Sequence, residues 1–273
     1  MYERCLRMAH QTFLRFDNVD FTYDSMTGEL LSGVTLQFSC GWTGIVGPNG
    51  AGKTTLLFLA CGKLQPDHGF VSIPELVRYC PQRTDDPPEG VEELMAAQDR
   101  DSLILKSDLD LKDGDLHRWE SLSFGERKRF QIASALFHNP DLLALDEPTN
   151  HLDAATKNLL YRALKRYRGI GLLVSHDREL LDNLCRECVF IEPPTAILRP
   201  GNYSAGAEQA RLEKESAASR LDAARFRLDK LEREHARRKH NASKSAGMNP
   251  KRRLSPKDHD LSLIHISEPT RPY

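Results

Sequence analysis

The chain has 273 residues and a net charge of −1, with 38 lysines and arginines against 39 aspartates and glutamates. No apolar run reaches about eighteen residues and the start is not signal-like, which excludes a membrane-spanning helix and gives no indication of export, so the cytosol is the expected compartment. Cys5, Cys40, Cys61, Cys80, Cys185 and Cys188 are scattered, and the single C-x-x-C lacks the second ligand pair that a structural zinc needs, so free thiols are expected.

Residues 1–12 read as an N-terminal extension, within which Met8 is a second candidate start. In Phe21-Thr22-Tyr23-Asp24 the tyrosine falls on a two-residue alternation, as a strand residue would. The apolar run from Thr43 to Val46 predicts a buried strand, and Thr54 to Leu64 predicts a helix. Between them lies Gly47-Pro48-Asn49-Gly50-Ala51-Gly52-Lys53-Thr54-Thr55, which fits G-x-x-x-x-G-K-[ST] in the strand-loop-helix setting that this motif requires. Its glycines let the backbone curl with N–H groups pointing inward, making a nest for phosphate at a helix N-terminus. Lys53 is then expected on the β- and γ-phosphates of a nucleotide, Thr54 on Mg²⁺ and Thr55 on a further phosphate oxygen.

Val77 to Cys80 predicts another strand, followed by the loop amide Gln82. Leu122-Ser123-Phe124-Gly125-Glu126 precedes a charged stretch and then Ile132, Ala135 and Leu136, a spacing that predicts a helix with one buried stripe. Leu142 to Leu145 is too short and too apolar for a solvent-facing helix and suits a strand buried in a parallel sheet. Open α/β sheets bind ligands at the carboxyl edge of their strands, which puts Asp146 in place to hold Mg²⁺ and Glu147 in place to polarise an attacking water. Gly171 to Ser175 is a further buried-strand run, with His176 at its end, and Cys185-Arg186-Glu187-Cys188 is expected in an amphipathic helix beyond it.

From Gly206 glycine and proline disappear until Gly247, and alanine, leucine, glutamate and arginine favour a long helix. Ala217, Leu221, Ala224, Leu228 and Leu231 alternate steps of four and three, a narrow seam that suits one arm of an antiparallel helical hairpin. Between 233 and 257, Arg233, Arg237, Arg238, Lys239, Lys244, Lys251, Arg252, Arg253 and Lys257 face only Glu234, a net charge of +8 that leaves −9 on the rest of the chain. Such a tip binds polyanions, and because no Phe, Tyr or Trp lies between Phe226 and Tyr273, phosphate contact is expected rather than base stacking.

The motifs together resemble the ATP-binding cassette (ABC) family over roughly residues 13–203, with Leu-Ser-Phe-Gly-Glu standing where that family usually has Leu-Ser-Gly-Gly-Gln. The resemblance implies an α/β fold of the P-loop NTPase, ABC type: a mixed sheet with an antiparallel β subdomain and a small helical subdomain, followed by a long charged α-helical linker. It implies ATP and Mg²⁺ as cofactors. Tyr23 takes the place of the aromatic that stacks on adenine, Gln82 of the glutamine that couples Mg²⁺ and attacking water to the helical subdomain, and His176 of the histidine at the γ-phosphate. It also implies a sandwich in which the loop of one cassette and Ser123 and Gly125 of a second clasp the same ATP; Phe124 adds bulk where the family brings backbone close to phosphate.

Glu147-Pro148-Thr149-Asn150-His151-Leu152-Asp153 resembles the ABC-F subfamily, whose members carry two cassettes joined by a long charged linker that reaches into the ribosome beside transfer RNA. The resemblance implies a cassette at 13–205, the first part of such a linker at 206–260, a missing second cassette or second copy as partner, and ribosome or RNA contact through the basic tip. Residues 261–273 resemble a translated sequencing adapter and are expected to be a non-native tail. The alternatives at this point are the ATPase subunit of a membrane transporter and a catalytically silent nucleotide-binding fragment.

Overall fold

In the computed structural model of the chain, residues 13–25, 28–112 and 114–247 are described, without the side chains of 242–247. The N-terminal extension at 1–12 with its alternative start, the tail at 261–273, the Lys244 side chain and the basic residues Lys251, Arg252, Arg253 and Lys257 lie outside the described residues.

Two sheets build the larger unit. β1 (Leu14–Phe21), β2 (Leu31–Phe38) and β4 (His68–Ser72) form an antiparallel sheet in the order β2-β1-β4, while β3 (Gly41–Val46), β5 (Val77–Cys80), β6 (Leu142–Asp146), β7 (Ile170–Val174), β8 (Cys185–Glu192) and β9 (Thr195–Pro200) form a second sheet in the order β5-β6-β7-β3-β8-β9. All neighbours in the second sheet are parallel except β9, which returns antiparallel beside β8. This is the mixed sheet with an antiparallel β subdomain expected of a P-loop NTPase.

The helices follow from where the chain must cross between parallel strands. α1 (Lys53–Ala60) follows β3; α2 (Val91–Ala96), α3 (Arg100–Asp108), a 3₁₀ turn at Leu116–Ser121 and α4 (Phe124–Phe137) lie between β5 and β6; α5 (Ala154–Arg166) links β6 to β7; α6 (Arg178–Leu184) precedes β8; α7 spans Tyr203–Gly247. The β6 run is buried throughout because alternate residues feed opposite cores. Leu142 and Ala144 join the cluster under the antiparallel sheet and α1, whereas Leu143 and Leu145 join the cluster that also holds Ile132, Leu160 and Leu181. A smaller cluster of Val91, Trp119, Leu122 and Phe130 serves the helical segment.

Two expectations are corrected, at the end of α1 and at Cys185 to Cys188. α1 stops at Ala60, short of the expected Leu64, because Gly62 takes φ +68° and the Gly62 and Lys63 amides donate back to Leu59 O (3.2 Å) and Phe58 O (2.8 Å), closing the helix with a Schellman motif. Tyr23 lies past the end of β1 rather than in it. Cys185 and Cys188 are in strand β8 and not in an amphipathic helix; the helix ends at Leu184, and β8 pairs in parallel with β3, Cys188 lying opposite Gly44. A side chain at Gly44 would stand 2.9 Å from the Cys188 sulfur, so the two strands meet there with no room to spare.

One compact unit extends to Glu213 and a second begins at Lys214. α7 starts three residues before the expected Gly206. Its first turns are held within the larger unit by Arg199, which is 6% exposed, donates to Glu213 at 2.5 Å and stacks its guanidinium over Phe190 at 5.1 Å. In the second unit the expected seam of Ala217, Leu221, Ala224, Leu228 and Leu231 is exposed along the helix.

Candidate active site

β5, β6, β7 and β3 are adjacent and parallel, so the segments that leave their carboxyl ends all emerge at one edge of the sheet. Gln82 comes from the segment after β5, Asp146 and Glu147 from the end of β6, His176 from the end of β7 and the glycine-rich loop from β3. They line one cleft of about 670 Å³, together with Tyr23, Asn49, Gly50, Gly52, Lys53, Thr54 and Thr55. That volume is in the range of small-molecule sites.

The loop is shaped by its own backbone. Gly52 has φ +95°, a left-handed conformation that a side chain would strain, and it hands the chain directly into α1. Ala51 is buried, and its amide donates to Pro48 O at 3.2 Å. Lys53 Nζ turns back to donate to Gly47 O and Pro48 O, both at 3.0 Å. A phosphate entering the nest would offer this ammonium stronger acceptors than the two carbonyls. Thr55 Oγ1 lies 3.1 Å from the Tyr23 hydroxyl, and the Tyr23 ring, 37% exposed, packs edge-on against Phe21.

At the end of β6 the two acids are held differently. Asp146 is buried, and its Oδ2 accepts from the Thr54 hydroxyl at 2.9 Å and from the Tyr79 hydroxyl at 3.3 Å. Burial, and then the adjoining Asp146 carboxylate, push the Tyr79 phenol well above its ordinary range, so it stays a donor. Glu147 takes φ +48°, an uncommon conformation for a residue with a side chain, with its amide donating to Val174 O at 2.9 Å. Its Oε2 accepts from the His176 amide at 3.2 Å, and its Oε1 has no hydrogen-bond partner. His176 Nε2 lies 3.4 Å from that Oε1, an ion-pair separation without hydrogen-bond geometry. Burial raises the Glu147 pKa, partly opposed by His176. The residues fit ATP and Mg²⁺: a threonine hydroxyl is hydrogen-bonded to a buried carboxylate, Glu147 lines the cleft with one buried oxygen unsatisfied, and a side chain added at Gly50 would meet only open space.

Ser123 and Gly125 are not in this cleft. Ser123 caps α4 in a capping box: its hydroxyl accepts from the Glu126 amide at 3.3 Å, and Glu126 reaches back to the Ser123 amide at 2.8 Å. Sequence reasoning assigns no site role to Leu30, Asn150 and Val174, which line the cleft, or to Tyr79. Tyr79 lies on β5 three positions before Gln82, a spacing that could have drawn attention to it; its contact with Asp146 comes from the pairing of β5 with β6.

The ABC transporter family profile matches residues 31–150. A protein of Nitratidesulfovibrio vulgaris, described only provisionally as an ABC transporter ATP-binding protein, is 34% identical over 201 residues, which cover 63% of this chain and 73% of that protein. The chain belongs to the ATP-binding cassette family. It is also similar to the ATP-binding protein Uup of Escherichia coli (35% identity, 63% of this chain and 29% of Uup) and to the ribosome protection protein VmlR of Bacillus subtilis (36% identity, 59% of this chain and 28% of VmlR). The match spans less than a third of the length of either relative. Among the described residues no helix is long and apolar enough to cross a membrane.

Proposed function

We propose that the chain is the nucleotide-binding part of an ABC-F ATPase that acts on the ribosome, and that it hydrolyses ATP to ADP and phosphate when a second cassette completes the site. The observation that carries this reading is the convergence of Lys53, Thr54, Gln82, Asp146, Glu147 and His176 on one cleft, with Glu147 Oε1 buried and unsatisfied.

In this reading the loop amides of residues 47–55 and Lys53 hold the phosphates, and Tyr23 packs against adenine. Thr54 and Asp146 would hold Mg²⁺, joined by Gln82, and the ion would neutralise charge on the phosphate oxygens. Glu147 takes the proton of the attacking water at its unsatisfied oxygen, and the burial that raises its pKa makes it a stronger base than an exposed carboxylate. His176, whose Nε2 lies 3.4 Å from that same Oε1, would donate to the γ-phosphate. Ser123 and Gly125, outside the cleft at the exposed end of α4, are available to the nucleotide of another cassette. The cassette then runs from 13 to 205, and the helix from 206 begins a linker whose basic segment contacts ribosomal RNA.

Similarity to VmlR and the basic helix support the ribosome as target. The test is co-sedimentation of the full-length gene product carrying Glu147→Gln, and its counterpart in the second cassette, with ribosomes. ATP-dependent pelleting is expected. Membrane co-fractionation without ribosomes would replace this reading with a transporter ATPase subunit.

A further inference from the structure

Lys128 is 1% exposed, on the inner face of α4, yet it carries a charge. Its ammonium spends all three donors: 2.9 Å to Pro81 O, 3.0 Å to Gln82 O and 2.8 Å to Gln131 Oε1. Gln131, one turn further along, passes the contact on by donating to Arg83 O at 3.0 Å. Three successive carbonyls of the Gln82 loop therefore accept from a single face of the helix that Ser123 caps.

The fourth side of Lys128 is closed by an aromatic ring. Phe124, four residues earlier and on the same helix face, places its ring 5.6 Å from the ammonium. Phe124 is the residue that departs from the family's glycine, and its ring also meets His151 edge-on at 6.3 Å, in the segment that follows Glu147. Burial lowers the Lys128 pKa to about 8, so the group is still charged at neutral pH. A buried charge among neutral carbonyls is a costly way to fill space, since an apolar side chain of similar volume would avoid desolvation; what it adds is a fixed geometry for the loop.

We propose that Lys128, seated under Phe124, is a positioning residue that holds the Gln82 loop against α4, so that the presentation of Gln82 to the cleft and the placement of Ser123 at the end of the same helix are linked. Lys128 does not itself line the cleft and acts through Gln82. The inference rests on the reading of the cleft as an Mg·ATP site.

A double-substitution cycle tests it, with the gain in ATP affinity on adding Mg²⁺ as readout and affinity in EDTA as control. Lys128→Met should lose about tenfold of the Mg²⁺-dependent gain, the usual scale for removing a residue that orients a metal ligand. Gln82→Ala should lose at least as much, and the double variant should match Gln82→Ala within about twofold, as for two residues acting through one path. Phe124→Leu, which keeps the helix and removes the ring, should lose about two- to fivefold in the same readout, and it carries the test if Lys128→Met does not fold. Additive losses in the double variant, or an unchanged Mg²⁺ gain in Phe124→Leu, would overturn the proposal. Failure of the unsubstituted chain to bind ATP would instead overturn the reading of the cleft and take this inference with it.

Discussion

Glu147 combines burial, a left-handed backbone and an oxygen without a partner, three costs at one residue. Its folded pKa lies above the ordinary carboxyl value, so between the two the folded state binds more protons than the unfolded state. The stabilisation this gives is full below about pH 4.5 and is lost as pH rises through the raised folded value. Glu147→Gln removes that dependence. In thermal unfolding without nucleotide it should melt about 2–4 °C above the unsubstituted chain at neutral pH, with the gap closing toward pH 4.5. A gap that widens on acidification would reverse the sign assigned to this group. The same substitution should slow ATP hydrolysis about a hundredfold or more while leaving ATP bound, measured by phosphate release beside nucleotide binding. Normal turnover would move the base elsewhere.

At the scale of elements, α4 ties two demands together: it buries Phe130, Ile132 and Ala133 and presents Ser123 at its exposed end. Ser123→Ala removes the hydroxyl half of the capping box while keeping the backbone amide that donates to Glu126, and should cost about 1 kcal/mol in denaturant unfolding, with the m-value unchanged. No loss would mean that the cap carries no weight in holding the helix end. The elements most legible in sequence are β6 and β7, because a strand buried on both faces must be an uninterrupted apolar run, and the acids and His176 at their ends follow from the sheet edge alone. Cys185 to Cys188 reads wrongly as helix because α6 passes into β8 without an intervening turn residue; the run Cys188-Val189-Phe190-Ile191 before Pro193 is the strand signal. Tyr79 and Lys128 are not legible as site residues, because each acts through a tertiary contact, to Asp146 and to the Gln82 carbonyl, that no local spacing encodes.

For the whole molecule, the charge is divided: residues 233–257 carry +8 in a chain of net −1. A basic helix that meets RNA phosphates releases counterions, so affinity falls steeply with salt. Replacing Arg237, Arg238 and Lys239 with glutamine should weaken ribosome association and flatten the log–log salt slope by about 0.7–0.9 for each phosphate no longer neutralised. An unchanged slope would make these residues a solvated face. The nucleotide cleft lies in the other compact unit, so ATP affinity should not follow these substitutions.

In the proposed function the cleft at the β3, β5, β6 and β7 edge binds ATP through Lys53. The measurement that decides this is equilibrium binding of Mg·ATP to the unsubstituted chain, Lys53→Ala and Glu147→Gln. Tight binding is expected for the unsubstituted chain and Glu147→Gln, with loss of tight binding in Lys53→Ala. Equal affinity in all three would mean that Lys53 does not hold the nucleotide.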